Sequence, residues 1–267
     1  MTGSSISSDA SVRHDSVPEQ RRARERSAAA EARRCLSDVR AATEILAEAV
    51  DELNDERMRR PSRLPGWTRA HVITHLARNA DGFVNLLTWA RTGVEHPMYP
   101  STADRDADIQ EGAGRLAQIV REDLRAATDR FAAAGDRLSD SQWLATVAGR
   151  ASMVFPAANI PSMRLFELWV HLVDLDLDFG FGDVPGEQLE GLLGTAVSRL
   201  VDRPDGPSVR LAVTLPDGGE RVWDLVGGTG AETSDVSGEA APVLAWLTGR
   251  GDGGELRGDV PVLPAWG

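Results

Sequence analysis

Residues 164–179 read RLFELWVHLVDLDLDF, and this stretch constrains the fold more than any other part of the chain. Four ionisable residues, Glu167, His171, Asp174 and Asp178, interrupt a run of large apolar side chains at steps of four, three and four. Residues three and four apart are neighbours on a helix surface, so this spacing predicts one helix with the four side chains in a single file. A helix that is apolar on its other faces belongs in a core. The sequence therefore predicts ionisable groups inside the protein, which requires a chemical reason.

Three further long helices are predicted from apolar residues that recur with helical spacing. They run from about residue 28 to 53, from about 69 to 91 and from about 104 to 134. Thr68 is the predicted N-cap of the second of these, Gly93 is its predicted end, and Ser162 is predicted to cap the helix of the opening stretch. Four helices of this length predict a four-helix bundle over residues 28–186, in which sites are built from side chains on facing helices.

The two ends of the chain have different patterns. Residues 1–27 are first Ser-rich and then charged, and they are expected to form an extension that is disordered at least to about residue 18, with residues 18–27 (PEQRRARERS) left open as an addition to the first helix. In residues 187–267, a helix is predicted at about 188–202, and apolar residues then alternate from Val209 to Leu215 as in a half-buried strand. PDGG turns this strand into RVWDLV, which predicts a hairpin, and a short helix follows at APVLAWLTGR. The predicted fold is a helical bundle followed by a smaller α+β domain.

The charge and cysteine content limit the classes of partner. A formal net charge of −12 argues against a nucleic acid or an anionic membrane surface, because both attract basic patches. A single cysteine, Cys35, excludes an internal disulfide and a multi-cysteine zinc site. No secretory leader and no membrane-spanning stretch are expected. We therefore expect a cytoplasmic protein, a monomer, whose partners are small molecules.

The spacing of Glu167 and His171 suits two ligands of one metal ion, because it places a carboxylate and an imidazole one helical turn apart. A catalytic zinc usually takes three protein ligands and leaves one position open. The second predicted helix offers His71 and His75, and one of them would complete a site of two histidines and one carboxylate. The alternative is a structural Glu/His pair without a metal, and spacing alone does not separate the two interpretations.

Four ordered segments carry a resemblance to a known family. They are RLPGWTRAHVITHLARNADGFVNLLTWARTG, MYPSTADRDADIQEGAGR, FELWVHLVDLDLDFGFGDVP and VLAWLTGRGDG. Together they resemble the mycothiol-dependent maleylpyruvate isomerase family of actinobacteria, whose amino-terminal part is a DinB-like metal-binding helical bundle. The resemblance extends from about residue 29 to the end of the chain. It implies that the metal is zinc, that His75, Glu167 and His171 hold it, and that mycothiol occupies the open position.

The resemblance also implies roles for residues around the metal. Asp174 matches the family's catalytic acidic residue one turn after the second histidine, and it is expected to orient His171 or another donor, or to relay a proton. Arg105 and Arg250 match arginines that bind the substrate carboxylates, for which a planar guanidinium is well suited. Asn79, one turn after His75, is a candidate cofactor contact, with structural hydrogen bonding as the alternative.

The implied reaction is the conversion of maleylpyruvate to fumarylpyruvate. A zinc-held thiolate adds to the cis double bond, the resulting single bond rotates, and loss of the thiolate leaves the trans product. Two alternatives remain open. The first alternative to the isomerase is a mycothiol S-transferase that uses the same metal site on another electrophile. The second is a non-catalytic metal-binding or regulatory homologue.

Overall fold

The computed structural model describes residues 17–150, 153–201, 203–228 and 232–264. Within these ranges the helices are α1 (Val17–Asp51), α2 (Asp55–Met58), α3 (Arg69–Thr92), α4 (Thr102–Ala113), α5 (Ala117–Asp136), α6 (Ile160–Asp174), α7 (Gly186–Leu200) and α8 (Ala240–Leu247). The strands are β1 (Thr146–Ala148), β2 (Val154–Pro156), β3 (Val209–Thr214), β4 (Glu220–Leu225), β5 (Ser234–Glu239) and β6 (Arg257–Gly258).

Helices α1, α3, α5 and α6 form the predicted four-helix bundle. Helix α3 packs against α5 and α6, and α1 packs against the same two helices. Phe83 of α3 and Phe131 of α5 meet edge to face in the core, with ring centroids 6.3 Å apart. Gly93 ends α3 in the left-handed conformation (φ 72°), as predicted. The bundle therefore places α3 directly beside α6, which is the arrangement that a shared site requires.

Helix α1 begins at Val17, so residues 18–27 belong to the first helix, which is the alternative that the sequence leaves open. This segment is rich in arginine and glutamate, which are good helix formers, and Arg21 pairs with Glu25 one turn later. Its side chains are mostly exposed. Helix propensity, and not burial, therefore accounts for the extra turns. Residues 1–16 of the predicted extension lie outside the described residues.

The predicted helix at 104–134 is two helices, α4 and α5. The chain breaks between them because Asp55, far away in sequence, accepts a hydrogen bond from the backbone N–H of Ala117 (2.6 Å) and so caps the start of α5. Helix α4 lies on α3, where Gly112 makes a close approach possible: a Cβ at Gly112 would overlap the side chain of Thr74. The break therefore brings α4, and Arg105 on it, beside α3.

Helix α6 is shorter than predicted, because it ends at Asp174 and not near residue 179. Asp176 and Asp178 adopt left-handed backbone conformations (φ 55° and 63°), and Arg69 of α3 binds the carbonyl oxygens of Leu175 (2.7 Å) and Asp176 (2.6 Å). Asp178 therefore lies outside the predicted file of ionisable groups.

The start of α6 also differs from the prediction. The N-cap residue is Asn159 and not Ser162, whose hydroxyl instead donates to the carbonyl of Asn159 (2.8 Å). Pro161 in the first turn explains the earlier start, because its missing N–H is not needed there and its fixed φ suits a helix.

The carboxyl-terminal part contains a four-stranded sheet in the order β4-β3-β5-β6. The predicted hairpin is confirmed: β3 and β4 pair antiparallel, with Leu211 opposite Trp223. Strand β5 was not predicted, and it pairs parallel with β3, with Val236 beside Leu211. Helix α8 packs on β3 and β5, whereas α7 packs against α8 and α6.

Helix α7 begins at Gly186, next to the predicted domain boundary. The buried apolar side chains of the bundle and of the carboxyl-terminal part form one continuous cluster, so the division of the chain into two domains stays a prediction. No helix in the described part of the chain has the length and apolar character needed to cross a membrane.

Candidate metal centre

The three predicted metal ligands converge from α3 and α6. Nε2 of His75 lies 3.1 Å from Oε2 of Glu167, and Nε2 of His171 lies 3.4 Å from the same oxygen. The candidate ligand atoms of the three residues all lie within 4.8 Å of one another. His75 is buried, and the other two side chains are partly exposed. Two imidazole nitrogens and one carboxylate oxygen are a donor set that a catalytic zinc uses, so these residues fit the metal.

Two neighbours fix the orientation of the α6 ligands. Asp174 accepts a hydrogen bond from Nδ1 of His171 (2.8 Å), and Arg199 of α7 donates to Oε1 of Glu167 (3.1 Å). A carboxylate on the far nitrogen of a metal-binding histidine is a common outer partner, because it fixes the tautomer and the ring orientation. These contacts leave Nε2 of His171 and Oε2 of Glu167 facing the shared space.

Arg105 of α4 reaches the third ligand. Its Nη2 lies 3.0 Å from Nδ1 of His75, its Nη1 binds Asp106 (2.6 Å), and its guanidinium lies 6.0 Å from the centre of the Tyr99 ring. A guanidinium can only donate hydrogen bonds, so His75 accepts at Nδ1 in this arrangement and directs the proton on Nε2 towards Glu167. The structure thus places Arg105 beside the centre, and its implied contact with a substrate carboxylate stays a prediction.

Arg250, from the loop after α8, joins the carboxyl-terminal part to the bundle. It forms two parallel hydrogen bonds with the carboxylate of Asp174, from Nε to Oδ1 (3.0 Å) and from Nη2 to Oδ2 (2.7 Å). The Asp174 side chain is fully buried and that of Arg250 is 8 % exposed. The structure therefore brings Arg250 to the centre, where it binds Asp174. Its predicted contact with a substrate carboxylate stays a prediction.

Two other candidates have structural partners. Nδ1 of His71 accepts a hydrogen bond from the backbone N–H of Thr68 (3.2 Å), and its Nε2 lies 3.2 Å from Oε1 of Gln110. His71 therefore belongs to the amino-terminal cap of α3, and it is absent from the group of converging ligand atoms found among the described residues. Asn79 is buried and its Oδ1 accepts a hydrogen bond from Arg164 (2.7 Å). A contact between Asn79 and a cofactor stays a prediction.

Burial and hydrogen bonds shift the pKa values of the groups at this centre in opposite directions. Burial lowers the pKa of His75 to about 4, so this ring is neutral. Burial alone would raise the pKa of Glu167 and of Asp174, but hydrogen bonds from His171 to both carboxylates, from His75 to Glu167 and from Arg250 to Asp174 outweigh it and lower both values. Burial would lower the pKa of His171, and its two carboxylate partners raise it instead. His171 thus lies between two carboxylates that favour its protonated form.

Cys35 on α1 is expected to react slowly with thiol reagents. Burial, followed by the nearby charges of Asp38 and Glu31, raises the pKa of its thiol to about 12. Since the thiolate is the nucleophile and only about one part in ten thousand of such a thiol is ionised at pH 8, we expect modification by Ellman's reagent to be on the order of a thousandfold slower than for free cysteine. Absorbance of the released thionitrobenzoate measures this rate. Rapid stoichiometric modification of the folded protein would contradict the assignment of Cys35 as an unreactive side chain.

Three residues at the centre were not predicted. Arg199 lies in a predicted helix, but its spacing gives no sign that it contacts Glu167. Arg164 belongs to the opening stretch, one turn before Glu167, and is fully buried, but it was not counted with the acidic and histidine residues of the file. Trp67 packs its ring edge to face against His75, with centroids 5.7 Å apart. The only signal for Trp67 was its position just before the second helix.

Comparison with known proteins identifies the family of the chain. The family model described as the mycothiol maleylpyruvate isomerase N-terminal domain matches residues 39–176, which is more than half of the chain. Uncharacterized proteins from two strains of Mycobacterium tuberculosis are 30% identical over 144 residues, which cover 52% of this chain and 54% of theirs. The chain therefore matches only about half the length of these curated relatives.

Solved structures extend the likeness beyond the bundle. A crystal structure of the mycothiol-dependent maleylpyruvate isomerase superposes with a TM-score of 0.76 at 28% identity, and a histidine-to-alanine variant superposes with a TM-score of 0.75 at 27% identity. Each match covers 88% of this chain and 97% of the other. The family match spans α3 and α6 with all three predicted metal ligands, and the chain belongs to the mycothiol maleylpyruvate isomerase N-terminal domain family.

Proposed function

We propose that this protein is a zinc-dependent, mycothiol-using isomerase that converts maleylpyruvate to fumarylpyruvate. The observation that carries the proposal is the convergence of His75, Glu167 and His171, in a chain that matches solved mycothiol-dependent maleylpyruvate isomerases over 88% of its length. Zinc bound by these residues would lower the pKa of the mycothiol thiol and hold it as the nucleophilic thiolate. The proposed partners are this small thiol and a small dicarboxylate, and we propose that the protein acts as a cytoplasmic monomer.

The residues of the chain have separate tasks in this proposal. Asp174 holds His171 with its proton on Nδ1, so that Nε2 can act as a ligand. Arg199 holds Oε1 of Glu167 and thereby directs Oε2 towards the two histidines. Arg250 neutralises Asp174, which keeps this buried carboxylate ionised. The two proposed ligands on α6 are therefore oriented before any metal or substrate arrives.

Arg105 is the best-placed group for a substrate carboxylate. When His75 acts as a ligand through Nε2, its proton must be on Nδ1, and that N–H would face the N–H donors of Arg105 at 3.0 Å. Two donors repel each other, so Arg105 is released from His75 when the ring becomes a ligand. Arg199 and Arg250 are bound to Glu167 and Asp174, whereas Arg105 needs only to leave His75 to offer N–H donors to an anionic substrate.

The proposal predicts that the zinc-loaded protein forms fumarylpyruvate from maleylpyruvate only when mycothiol is present. The reaction can be followed by absorbance, with the product identified by chromatography. Controls omit mycothiol or use protein from which a chelator has removed the metal, and neither should show turnover. No isomerisation, together with conjugates of mycothiol on another electrophile, would replace the proposal with an S-transferase. Metal binding without either reaction would favour a non-catalytic homologue.

A further inference from the structure

Arg164 is a fully buried cation with few partners. Its side chain is 0% exposed, and its Nη1 donates to the carbonyl of Leu76 (2.9 Å) and to Oδ1 of Asn79 (2.7 Å). Nε and Nη2 have no hydrogen-bond partner among the residues that the structure describes. Both accepting groups are uncharged, and burial lowers the pKa of Arg164 to about 10. Burying a charge in this way is costly, so the position must gain something that an apolar side chain would not provide.

The position of Arg164 relative to the proposed metal ligands explains why a buried arginine is useful there. Leu76 directly follows His75 on α3, and Asn79 lies one turn after His75. Arg164 lies on α6 one turn before Glu167. The hydrogen bonds of Arg164 therefore connect the two ligand-bearing helices at the level of the ligands themselves.

A second connection lies at the other end of the centre. Arg69, in the first turn of α3, donates to the carbonyl oxygens of Leu175 and Asp176, just beyond the end of α6. His75, Glu167 and His171 lie between this connection and the one made by Arg164. Two separate connections restrict both the sliding of α6 along α3 and its rotation. Packed apolar side chains alone restrict these movements less well, because hydrophobic contact is not directional.

We propose that Arg164, through Asn79 and the carbonyl of Leu76, is a positioning residue that sets His75 against Glu167 for metal binding. This inference rests on the metal site of the proposed function. Ligands on two helices must be held within about 0.5 Å of the productive geometry. Directional buried hydrogen bonds beside His75 and Glu167 can hold the two helices this closely. The cost of burying the arginine is visible in Nε and Nη2 of Arg164, which have no hydrogen-bond partner among the described residues.

The test compares Arg164→Met with a matched control, Arg78→Met. Arg78 precedes Asn79 on the same helix and also has a buried Nε without a partner in the described residues, but it binds Asp123 of α5 (2.6 Å). Zinc affinity is measured by competition with a chromophoric chelator, and coordination geometry by the absorption spectrum of the cobalt-loaded protein. We expect Arg164→Met to weaken zinc binding roughly 10- to 100-fold and to alter the cobalt spectrum, as loss of an outer partner does. Arg78→Met should leave both unchanged.

Variants of Asn79 complete the test. Asn79→Asp keeps the acceptor oxygen, so we expect zinc affinity within about threefold of wild type, whereas Asn79→Ala should reproduce the loss caused by Arg164→Met. Asn79→Ala also replaces Arg164→Met if the latter does not fold, as judged by circular dichroism. Wild-type zinc affinity and cobalt spectrum in a folded Arg164→Met or Asn79→Ala variant would overturn the inference, and so would an equal loss in Arg78→Met.

A metal-independent measurement separates this inference from the proposed function. If the wild-type protein binds no zinc, the proposed metal site fails, and imidazole nitrogen resonances of the metal-free protein then decide about Arg164. We expect Arg164→Met to shift the His75 signals and Arg78→Met to leave them in place. Unchanged His75 signals in Arg164→Met would show that Arg164 does not position this ring.

Discussion

Glu167→Gln is expected to abolish zinc binding and all mycothiol-dependent activity while leaving the bundle folded. Oε2 of Glu167 is the atom that both histidine Nε2 atoms approach, at 3.1 Å and 3.4 Å. A neutral amide is a poor ligand for zinc, and its NH₂ group would point a donor at the metal position. The loss of affinity should exceed the roughly 10- to 100-fold that removal of an outer partner costs. Elemental analysis after dialysis measures the metal, and circular dichroism measures the helices.

Two controls make this result specific. Glu190→Gln removes an exposed carboxylate that pairs with Arg221 (2.6 Å), and it should keep both metal and activity. His71→Ala loses a capping contact at the start of α3, which costs about 1 kcal/mol of stability, but it should keep the metal. His75→Ala, in contrast, should lose the metal. Full zinc occupancy in purified Glu167→Gln would show that the ligand set is wrong.

The sequence predicts the convergence of these three side chains because their relation is mostly local. Glu167 and His171 are four residues apart on one helix, so helical geometry alone places them on one face. His75 can join them only if α3 lies beside α6. A four-helix bundle allows these two helices to be neighbours, but it does not determine how far one is shifted along the other. Spacing leaves His71 and His75 equivalent. The capping contact of His71 with Thr68 separates them, and this contact is visible only in the structure.

The features that were not predicted depend on residues distant in sequence. Helix α6 ends at Asp174 because Arg69 binds the carbonyl oxygens that follow, although the apolar pattern continues to Phe179. The contact of Arg199 with Glu167 depends on how α7 packs against α6. Strand β5, with the sequence SDVSGE, has no apolar alternation and is a strand because β3 pairs with it along its whole length. Periodicity carries no information on such tertiary contacts.

Arg250→Met is expected to destabilise the protein by about 3–5 kcal/mol, which is the usual cost of removing one partner of a buried ion pair. Asp174 is fully buried and accepts two hydrogen bonds from Arg250, so the variant leaves a buried carboxylate with His171 as its only charged hydrogen-bond partner among the described residues. The contact also holds the segment after α8 against α6. The free energy of unfolding from urea denaturation of the metal-free protein measures the effect.

A double-mutant cycle separates the ion pair from the packing of the long arginine side chain. Asp174→Asn and Arg250→Met are combined, and we expect the double variant to be less destabilised than the sum of the single variants, because the buried charge is then absent. Arg221→Met serves as a control at an exposed pair with Glu190, where the expected loss is at most about 1 kcal/mol. Additive effects in the cycle would show that Arg250 contributes by packing alone. Activity of Arg250→Met, measured where it is still folded, then tests its substrate role, since a clamp for a carboxylate raises KM when it is removed.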